Sequence, residues 1–402
     1  MNQDQVKSTG KVWNALFIQI FTANALMNLS QQMMGSLVSK YANALGAAAT
    51  MIGVVSSIYA LTALIFKILS GPFIDTYNKR YILSITMTVT AVAFFGFGIS
   101  TSVPMMVAFR LLQGVGQAFT STCCLAVATA TLPKEKLGSG IGVFGMAQAV
   151  SQAIGPALAL ALVDSIGYQA TFFTGCGIML LAAVFALRVN LPFTRTKRLE
   201  LKPKRIIAKP ALLPASINFL LAVTYFVINS FLIVYAESLG VKGIGYYFTV
   251  CAGCMIFTRP LAGRMVDRIG AVRTMIPSML CFALSFLIIS FSRTLPMFLV
   301  AAFFAAFGYG AGSLVLQALC MKSVPASERG AASSTSYVGN DLGSLIGPIL
   351  AGKVVELFHN DYVPMWRVMI IPIFLAMAVM LTCRKRITKI ETDFNQAGPS
   401  EA

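Results

Sequence analysis

Two charged residues, Asp341 and Arg110, lie inside long apolar runs of this chain. Asp341 follows Gly330 by 11 residues, which is about 16 Å along a helix and close to the middle of a ~30 Å hydrocarbon layer. If this apolar run crosses a membrane, placing a carboxylate near its middle costs free energy, and a residue kept there at that cost indicates a functional site. Because burial disfavours the charged form of a carboxyl group, Asp341 is predicted to exchange a proton or to bind a cationic substrate. A helix-packing role beside Gly339 and Asn340 is the alternative.

Arg110 and a set of uncharged polar side chains extend this candidate site. An arginine inside a membrane helix normally faces a polar cavity or a carboxylate, although backbone carbonyls would also satisfy it. The uncharged candidates for proton coupling or substrate binding all lie inside apolar runs, most at three- or four-residue spacing on one helix face. They are Asn24, Asn28, Gln113, Gln117, Gln148, Tyr225, Asn229, Tyr309 and Asn340. Hydrogen bonds that hold helices together are the alternative role for each of them.

Composition and the length of the apolar runs indicate a polytopic membrane protein. The 402 residues are 57% hydrophobic and 11% charged, whereas an average soluble domain is about 25% charged. Twelve runs have roughly the length that crosses a bilayer, and they must be helical because a helix satisfies its own backbone groups in lipid. The runs cover residues 12–34, 49–70, 81–100, 103–130, 138–163, 168–190, 213–236, 244–262, 274–292, 295–320, 331–354 and 365–383.

The distribution of basic residues predicts the orientation of the chain. The net charge is +17, and Lys and Arg are concentrated in the amino-terminal tail, the even-numbered loops and the carboxy-terminal tail. Because cytoplasmic loops carry the excess of basic residues, both termini are predicted to be cytoplasmic in a multi-pass protein of the cytoplasmic membrane. The lipid bilayer accounts for the basic charge, and nucleic acid is not an expected partner.

A shift of 192 residues superimposes glycine, proline and aspartate positions of the two halves of the sequence. The pairs include Gly71 with Gly263, Asp75 with Asp267, and Gly155-Pro156 with Gly347-Pro348. Backbone geometry selects Gly and Pro, so the agreement indicates repeated structure. Six runs per copy predict a parallel repeat, typical of transporters with a site between two six-helix halves. The predicted parts are an amino-terminal half (1–190), a basic cytoplasmic linker (191–212), a carboxy-terminal half (213–383) and a cytoplasmic tail (384–402).

A short motif follows the second apolar run, and a partial copy follows the eighth. The motif consists of Gly71, Asp75, Lys79 and Arg80, and the copy of Gly263 and Asp267. The motif resembles the signature loop of the major facilitator superfamily, with Asn78 where that family has Gly. Because Asn tolerates a left-handed backbone, we expect Asn78 to form a tight left-handed turn. The resemblance implies that Asp75 gates transport by tying the two halves together on the cytoplasmic side, with Asp267 as a weaker counterpart.

Two further elements resemble the same family. Arg110, Gln113 and Gly114 resemble its R-x-x-Q-G element, and Gly155-Pro156 resembles the helix-packing element of the drug:proton antiporter branch. The resemblance covers essentially the whole chain. It implies an all-α membrane protein of 12 transmembrane helices in two parallel six-helix repeats, the major facilitator fold.

The resemblance also implies a function. We expect a secondary active transporter that exports small amphipathic or cationic compounds by alternating access, coupled to protons. An importer or uniporter of a polar solute, such as a sugar, metabolite or siderophore-like compound, is the alternative, and a non-transporting membrane receptor or sensor is a further one. Because the runs carry no metal-binding or catalytic constellation, we expect no enzymatic activity, no cofactor and no metal. The protein is expected to work as a monomer on a small-molecule substrate.

Overall fold

The computed structural model describes residues 13–132, 137–190, 208–325 and 328–396. These residues fold into helices joined by short turns. The helices are α1 (Ala15–Ala44), α2 (Ala49–Thr76), α3 (Lys79–Ile99), α4 (Val103–Thr131), α5 (Leu137–Arg188), α6 (Leu212–Ser238), α7 (Gly245–Ile269), α8 (Ala271–Phe291), α9 (Leu295–Ala305), α10 (Ala311–Lys322), α11 (Arg329–Leu357), α12 (Tyr362–Val368), α13 (Ile371–Thr382) and α14 (Arg384–Gln396).

The all-helical prediction is confirmed, and most predicted runs match a helix to within a few residues. The largest difference is α1, which continues to Ala44, well past the predicted end at residue 34. α5 joins two predicted runs, and the break between them is Gly167, whose φ of 79° is accessible because glycine has no Cβ.

Eight described helical stretches are long and apolar enough to cross a membrane. α1, α7 and α11 are not among them, because polar and charged side chains lower their mean hydropathy. The arrangement of exactly twelve spans in two six-helix repeats therefore stays a prediction.

Backbone contacts divide the chain into two compact units. Unit 1 comprises residues 1–37 and 62–202, and unit 2 comprises residues 38–61 and 203–402. α1 and α2 thus each contribute to both units. The end of α1 and the beginning of α2 form one segment, residues 38–61, that packs with the second part of the chain.

Unit 1 is built around α3, which packs against α4 and α5. Phe97 of α3 and Phe172 of α5 are fully buried, with ring centroids 5.8 Å apart in an edge-to-face arrangement. Gly116 of α4 lies against Thr90 of α3 so closely that a Cβ at this glycine would meet the threonine hydroxyl. Small residues therefore set the spacing of α3 and α4, as is usual between membrane helices.

In unit 2 the most extensive helix contact joins α6 and α11. Gly339, Gly343 and Gly347 recur at four-residue spacing and so share one face of α11. A Cβ at Gly343 would lie 2.6 Å from Cβ of Ala222, and a Cβ at Gly347 would meet the carbonyl oxygen of Val223. These three glycines, which we call the α11 glycine stripe, bring the two backbones closer than larger side chains would allow.

Three helical features of unit 2 were not predicted from the sequence. Residues Ala306–Gly310 form a π-helical turn between α9 and α10. A break at Met369 and Ile370 separates α12 from α13 within one predicted run. The segment predicted only as a tail begins with the helix α14.

The predicted left-handed turn at Asn78 is wrong. α2 continues through Gly71 and Asp75 to Thr76, and Asn78 has φ −65° and ψ 116°, an extended conformation. Its side chain accepts a hydrogen bond from the backbone N–H of Arg80 at 3.2 Å. Asn78 therefore caps α3, a role in which an extended Asn satisfies an orphan backbone donor.

Replacing Gly347 by Ala tests the α11 glycine stripe. The added Cβ would collide with the backbone of α6, so we expect the free energy of unfolding to fall by about 1–3 kcal/mol and the apparent melting temperature to fall with it. Gly253→Ala in α7 is the matched control, because a Cβ there meets nothing within 4 Å. Equal melting temperatures for the two variants would contradict the close α6–α11 contact.

Candidate functional site

Arg110 of α4 is bound within unit 1. Its side chain is 3% exposed, and its Nη1 donates to Oε1 of Gln113 at 2.6 Å. The guanidinium carbon lies 6.0 Å from the ring centre of Phe97, at the limit of a cation–π contact. An amide oxygen therefore binds this buried charge, and an aromatic ring lies near it.

The amide candidates of unit 1 bond mainly to one another. Gln117 of α4 accepts a short hydrogen bond from Nε2 of Gln31 in α1. Asn28 donates to the backbone oxygen of Asn24 at 2.8 Å and to its Oδ1 at 3.0 Å. Asn24 in turn donates to the carbonyl of Phe144 in α5 at 3.3 Å. These bonds join α1 to α4 and α5, so these amides contribute to helix packing in this conformation.

Gly155 and Pro156 lie in α5, where Gly155 faces α1. A Cβ at Gly155 would come within 2.7 Å of Cβ of Gln32, so this glycine permits a close approach of the two helices. Pro156 lies within the helix and removes one backbone donor from it. Gln148, in contrast to the buried Gln113, has an exposed side chain.

The candidates of unit 2 meet around Tyr309. The ring of Tyr309, in the π-helical turn, is stacked on the ring of Tyr225 of α6 with centroids 3.8 Å apart and planes 7° apart. The Tyr309 hydroxyl donates to Oδ1 of Asn340 in α11 at 2.9 Å. Asn229 donates to the carbonyl of Tyr225 at 3.4 Å. Asp341 is the next residue of α11 after Asn340 and is half-buried.

The first copy of the gating motif lies where α2 gives way to α3. Gly71 and Asp75 belong to the last turns of α2, and their side-chain surroundings lie outside the described part of the structure. Lys79 begins α3. Nη1 of Arg80 donates to Oδ1 of Asn190, just after α5, at 3.0 Å.

The second copy of the gating motif lies in the last turns of α7. Gly263 and Asp267 are both exposed there. α7 ends at Gly270, which has φ 84° and ψ 161°, a conformation that a glycine adopts without strain. The two copies thus differ, since glycine turns the second connection and an extended Asn caps the helix after the first.

Glu391 of α14 is a candidate that the sequence analysis missed. Its Oε1 accepts the backbone N–H of Ala271, the first residue of α8, at 2.9 Å. Burial raises the pKa of the Glu391 carboxyl, and the bond from Ala271 and the charge of Lys322 partly offset this shift. The available signal was amphipathic spacing, because Ile387, which is 1% exposed, lies one turn before Glu391.

Two acidic residues that the sequence analysis also missed hold the 38–61 segment within unit 2. Oε1 of Glu237, at the end of α6, lies 2.6 Å from Nζ of Lys40, and the two side chains are 35% and 12% exposed. Oε1 of Glu356, at the end of α11, accepts the backbone N–H of Thr50 at 3.0 Å. Hydrogen bonds from Thr50 hold the pKa of the Glu356 carboxyl below its usual value. The sequence offered one signal for them. It has only 14 acidic residues, and these two lie near the ends of apolar runs.

The fold and these residues define an all-helical membrane protein with polar side chains inside apolar helices. The Major Facilitator Superfamily model matches residues 20–247 and 215–396. The chain belongs to the Major Facilitator Superfamily and is a transporter of this family, as the resemblance implied.

Named relatives and solved structures agree with the family. An uncharacterised MFS-type transporter of Methanocaldococcus jannaschii is 23% identical over 363 residues, 87% of this chain and 93% of the relative. The staphylopine export protein of Staphylococcus aureus is 25% identical over 312 residues, 75% of this chain and 73% of the relative. The crystal structure of a mutant nucleoside transporter NupG has a TM-score of 0.77 at 15% identity and covers 91% of this chain and 99% of its own, which shows a common fold.

The raised pKa of Glu391 predicts that α14 docks more firmly at low pH. A carboxyl whose pKa is higher in the folded state destabilises that state when it ionises, so stability is expected to fall as pH rises from about 4.5, the ordinary value, through the raised value. Hydrogen exchange of α14 between pH 4 and pH 7 measures this loss.

Two variants separate the charge of Glu391 from its hydrogen bond. Glu391→Gln keeps an acceptor for Ala271 without ionising, so its exchange rates are expected to lose this pH dependence after correction for intrinsic exchange. Glu391→Ala removes the cap of α8, which typically costs about 1 kcal/mol. A pH dependence that persists in Glu391→Gln would assign the titration to another group.

A double-mutant cycle on Lys40→Met and Glu237→Gln tests attachment of the 38–61 segment. Because the pair is partly buried, we expect a coupling free energy of about 1 kcal/mol, measured from chemical unfolding of the parent, both single variants and the double variant. The pair of Lys353 and Glu356, 3.7 Å apart with side chains 62% and 28% exposed, is the comparison and should couple more weakly, because its lysine is largely exposed and the distance is longer. Additive effects of the Lys40 and Glu237 changes would show that their ion pair contributes nothing.

Proposed function

We propose that this transporter exports small amphipathic or cationic compounds in exchange for protons, by alternating access. The observation that carries the proposal is the half-buried carboxyl residue Asp341 of α11, which is the next residue after Asn340, the acceptor of the hydrogen bond from the Tyr309 hydroxyl. A carboxyl group inside a membrane helix that faces protein is suited to take up and release a proton.

The direction of transport is supported by a relative. The staphylopine export protein, which is 25% identical over three quarters of this chain, is named for export. Export also agrees with the Gly155-Pro156 element, which resembles that of drug:proton antiporters. We propose accordingly that the protein resides in the cytoplasmic membrane with both termini in the cytoplasm and works as a monomer.

The two copies of the gating motif have a proposed conformational role. Asp75, near the end of α2, would tie the cytoplasmic ends of the helices together in one state of the cycle. Asp267 is exposed in the described structure, which suits its role as the weaker counterpart. Arg110 and its partner Gln113 would stabilise the interior of unit 1 and help to shape the substrate path.

Replacing Asp341 by Asn tests proton coupling. The parent protein is reconstituted into vesicles with an acidic interior and a pH-sensitive dye, and a panel of lipophilic cations, neutral drugs and sugars is added. We expect some cations to collapse the pH gradient with the parent and not with Asp341→Asn, because the amide has no titratable proton. Asp341→Glu, which keeps a carboxyl group, is expected to retain part of the exchange.

Asp164→Asn is the matched control for this experiment. Asp164 lies in α5 with an exposed side chain, so its replacement removes a carboxyl group without touching the candidate site and should leave exchange unchanged. Equilibration of a labelled solute without proton movement in the parent would contradict antiport and favour a uniporter. Undiminished proton movement in Asp341→Asn would assign the coupling to another residue.

A further inference from the structure

A single accessible patch interrupts the buried part of α6. Across residues 221–236 every side chain is buried except those of Tyr225, Phe226 and Asn229, which are half-buried. The three residues lie within about one turn of each other, near the middle of this apolar helix. An asparagine and a tyrosine at that depth favour a polar cavity over lipid as their surroundings. We call these three residues the α6 patch.

The π-helical turn carries Tyr309, which contacts Tyr225 of the α6 patch. The turn itself packs closely on α7 and α8. Gly308 lies against the backbone of Phe282 in α8, and a Cβ at Gly310 would come 2.7 Å from Cγ of Met255 in α7. Tyr309 itself is only 8% exposed, and its hydroxyl is bound to Asn340. π-helical turns inside α-helices are rare and occur frequently at functional sites.

The stacking of Tyr309 on Tyr225 has an electrostatic consequence. Aromatic rings have negative faces and prefer offset or edge-to-face contacts, usually with centroids at least about 4.5 Å apart. Here the rings are nearly parallel with centroids 3.8 Å apart, so two negative faces adjoin. The ring of Tyr225 therefore presents an electron-rich face, and a second ring, the buried and hydrogen-bonded Tyr309, lies behind it.

We propose that the α6 patch, with Tyr225 stacked on Tyr309, binds the charged group of an organic cation through the aromatic ring of Tyr225. Attraction between a cation and an aromatic face is strongest where water is excluded, as at a half-buried site inside a helix bundle. The inference rests on the proposed function, since it specifies the substrate class as quaternary ammonium, phosphonium or protonated amine compounds. It does not depend on proton coupling by Asp341.

Equilibrium binding to purified protein in nanodiscs, at fixed pH and without a gradient, tests this inference. The probes are methyltriphenylphosphonium, a cation, and triphenylphosphine oxide, a neutral molecule of similar shape. We expect Tyr225→Leu to weaken binding of the cation about tenfold, the effect of losing a desolvated cation–π contact, and to change binding of the neutral probe much less. Tyr246→Leu is the matched control, because Tyr246 is 59% exposed and belongs to α7.

Fluorinated phenylalanines at position 225 distinguish the aromatic face from simple packing. Tyr225→Phe is expected to bind the cation nearly as well as the parent, and successive fluorine atoms should weaken binding stepwise because they reduce the negative charge of the ring face. This series also covers the case in which Tyr225→Leu fails to fold. Equal affinity across the series, or a parent protein that binds no cation, would overturn the inference.

The two proposals fail separately in these experiments. Cation binding that follows the fluorine series, together with vesicles that show no proton movement, would preserve the cation site and refute proton coupling. Proton exchange driven by neutral compounds, with no effect of fluorine, would preserve the antiporter and refute the cation site.

Discussion

The close contact of α6 with α11 is the constraint on which the candidate site of unit 2 depends. Lipid offers no water to satisfy polar groups, so helices that carry such groups must pack against each other. The α11 glycine stripe brings the α11 backbone against α6 and thereby sets the position of Asn340. Asn340 accepts a hydrogen bond from the hydroxyl of Tyr309. The ring of Tyr309 in turn stacks on that of Tyr225, which belongs to α6. The polar geometry thus follows from backbone packing.

Unit 1 meets the same constraint differently. Several of its polar side chains bond to one another, as Arg110 does with Gln113 and Gln31 with Gln117. A buried guanidinium bound by an amide remains charged, because arginine does not lose its proton in proteins. The interior of unit 1 is therefore a fixed positive site in an amide network, whereas the α6 patch of unit 2 is aromatic and accessible.

Much of the fold followed from sequence because apolar runs and breaker residues act locally. The predicted runs 138–163 and 168–190 left a gap between them, and the break in α5 falls in that gap, at Gly167. Local signals of this kind do not predict the π-helical turn, because there Gly308 and Gly310 pack against Phe282 and Met255, which lie on other helices. α14 was not predicted because it is amphipathic and contains no long apolar run.

The candidate site was less predictable than the fold. Residue types singled out Tyr225, Tyr309 and Asn340, but their contact was not foreseeable, since Tyr309 and Asn340 stand 31 residues apart on different helices. At Asn78 the residue type led to a wrong prediction. Its tolerance of a left-handed backbone suggested a turn, but its side chain makes a stronger local contribution as a helix cap.

Separation of the cation site from the proton site would give this transporter a simple means of exchange. Exchange requires that each ligand lower the affinity for the other, and such coupling is reciprocal. If the cation binds at Tyr225 and the proton at Asp341, the connection is short: Tyr225 contacts Tyr309, Tyr309 bonds to Asn340, and Asp341 is the next residue of α11. A change in charge at Asp341 would then act on the tyrosines through the backbone and side chain of Asn340. Aromatic recognition leaves the carboxyl group available to the proton, so the two ligands need not compete for the same atoms.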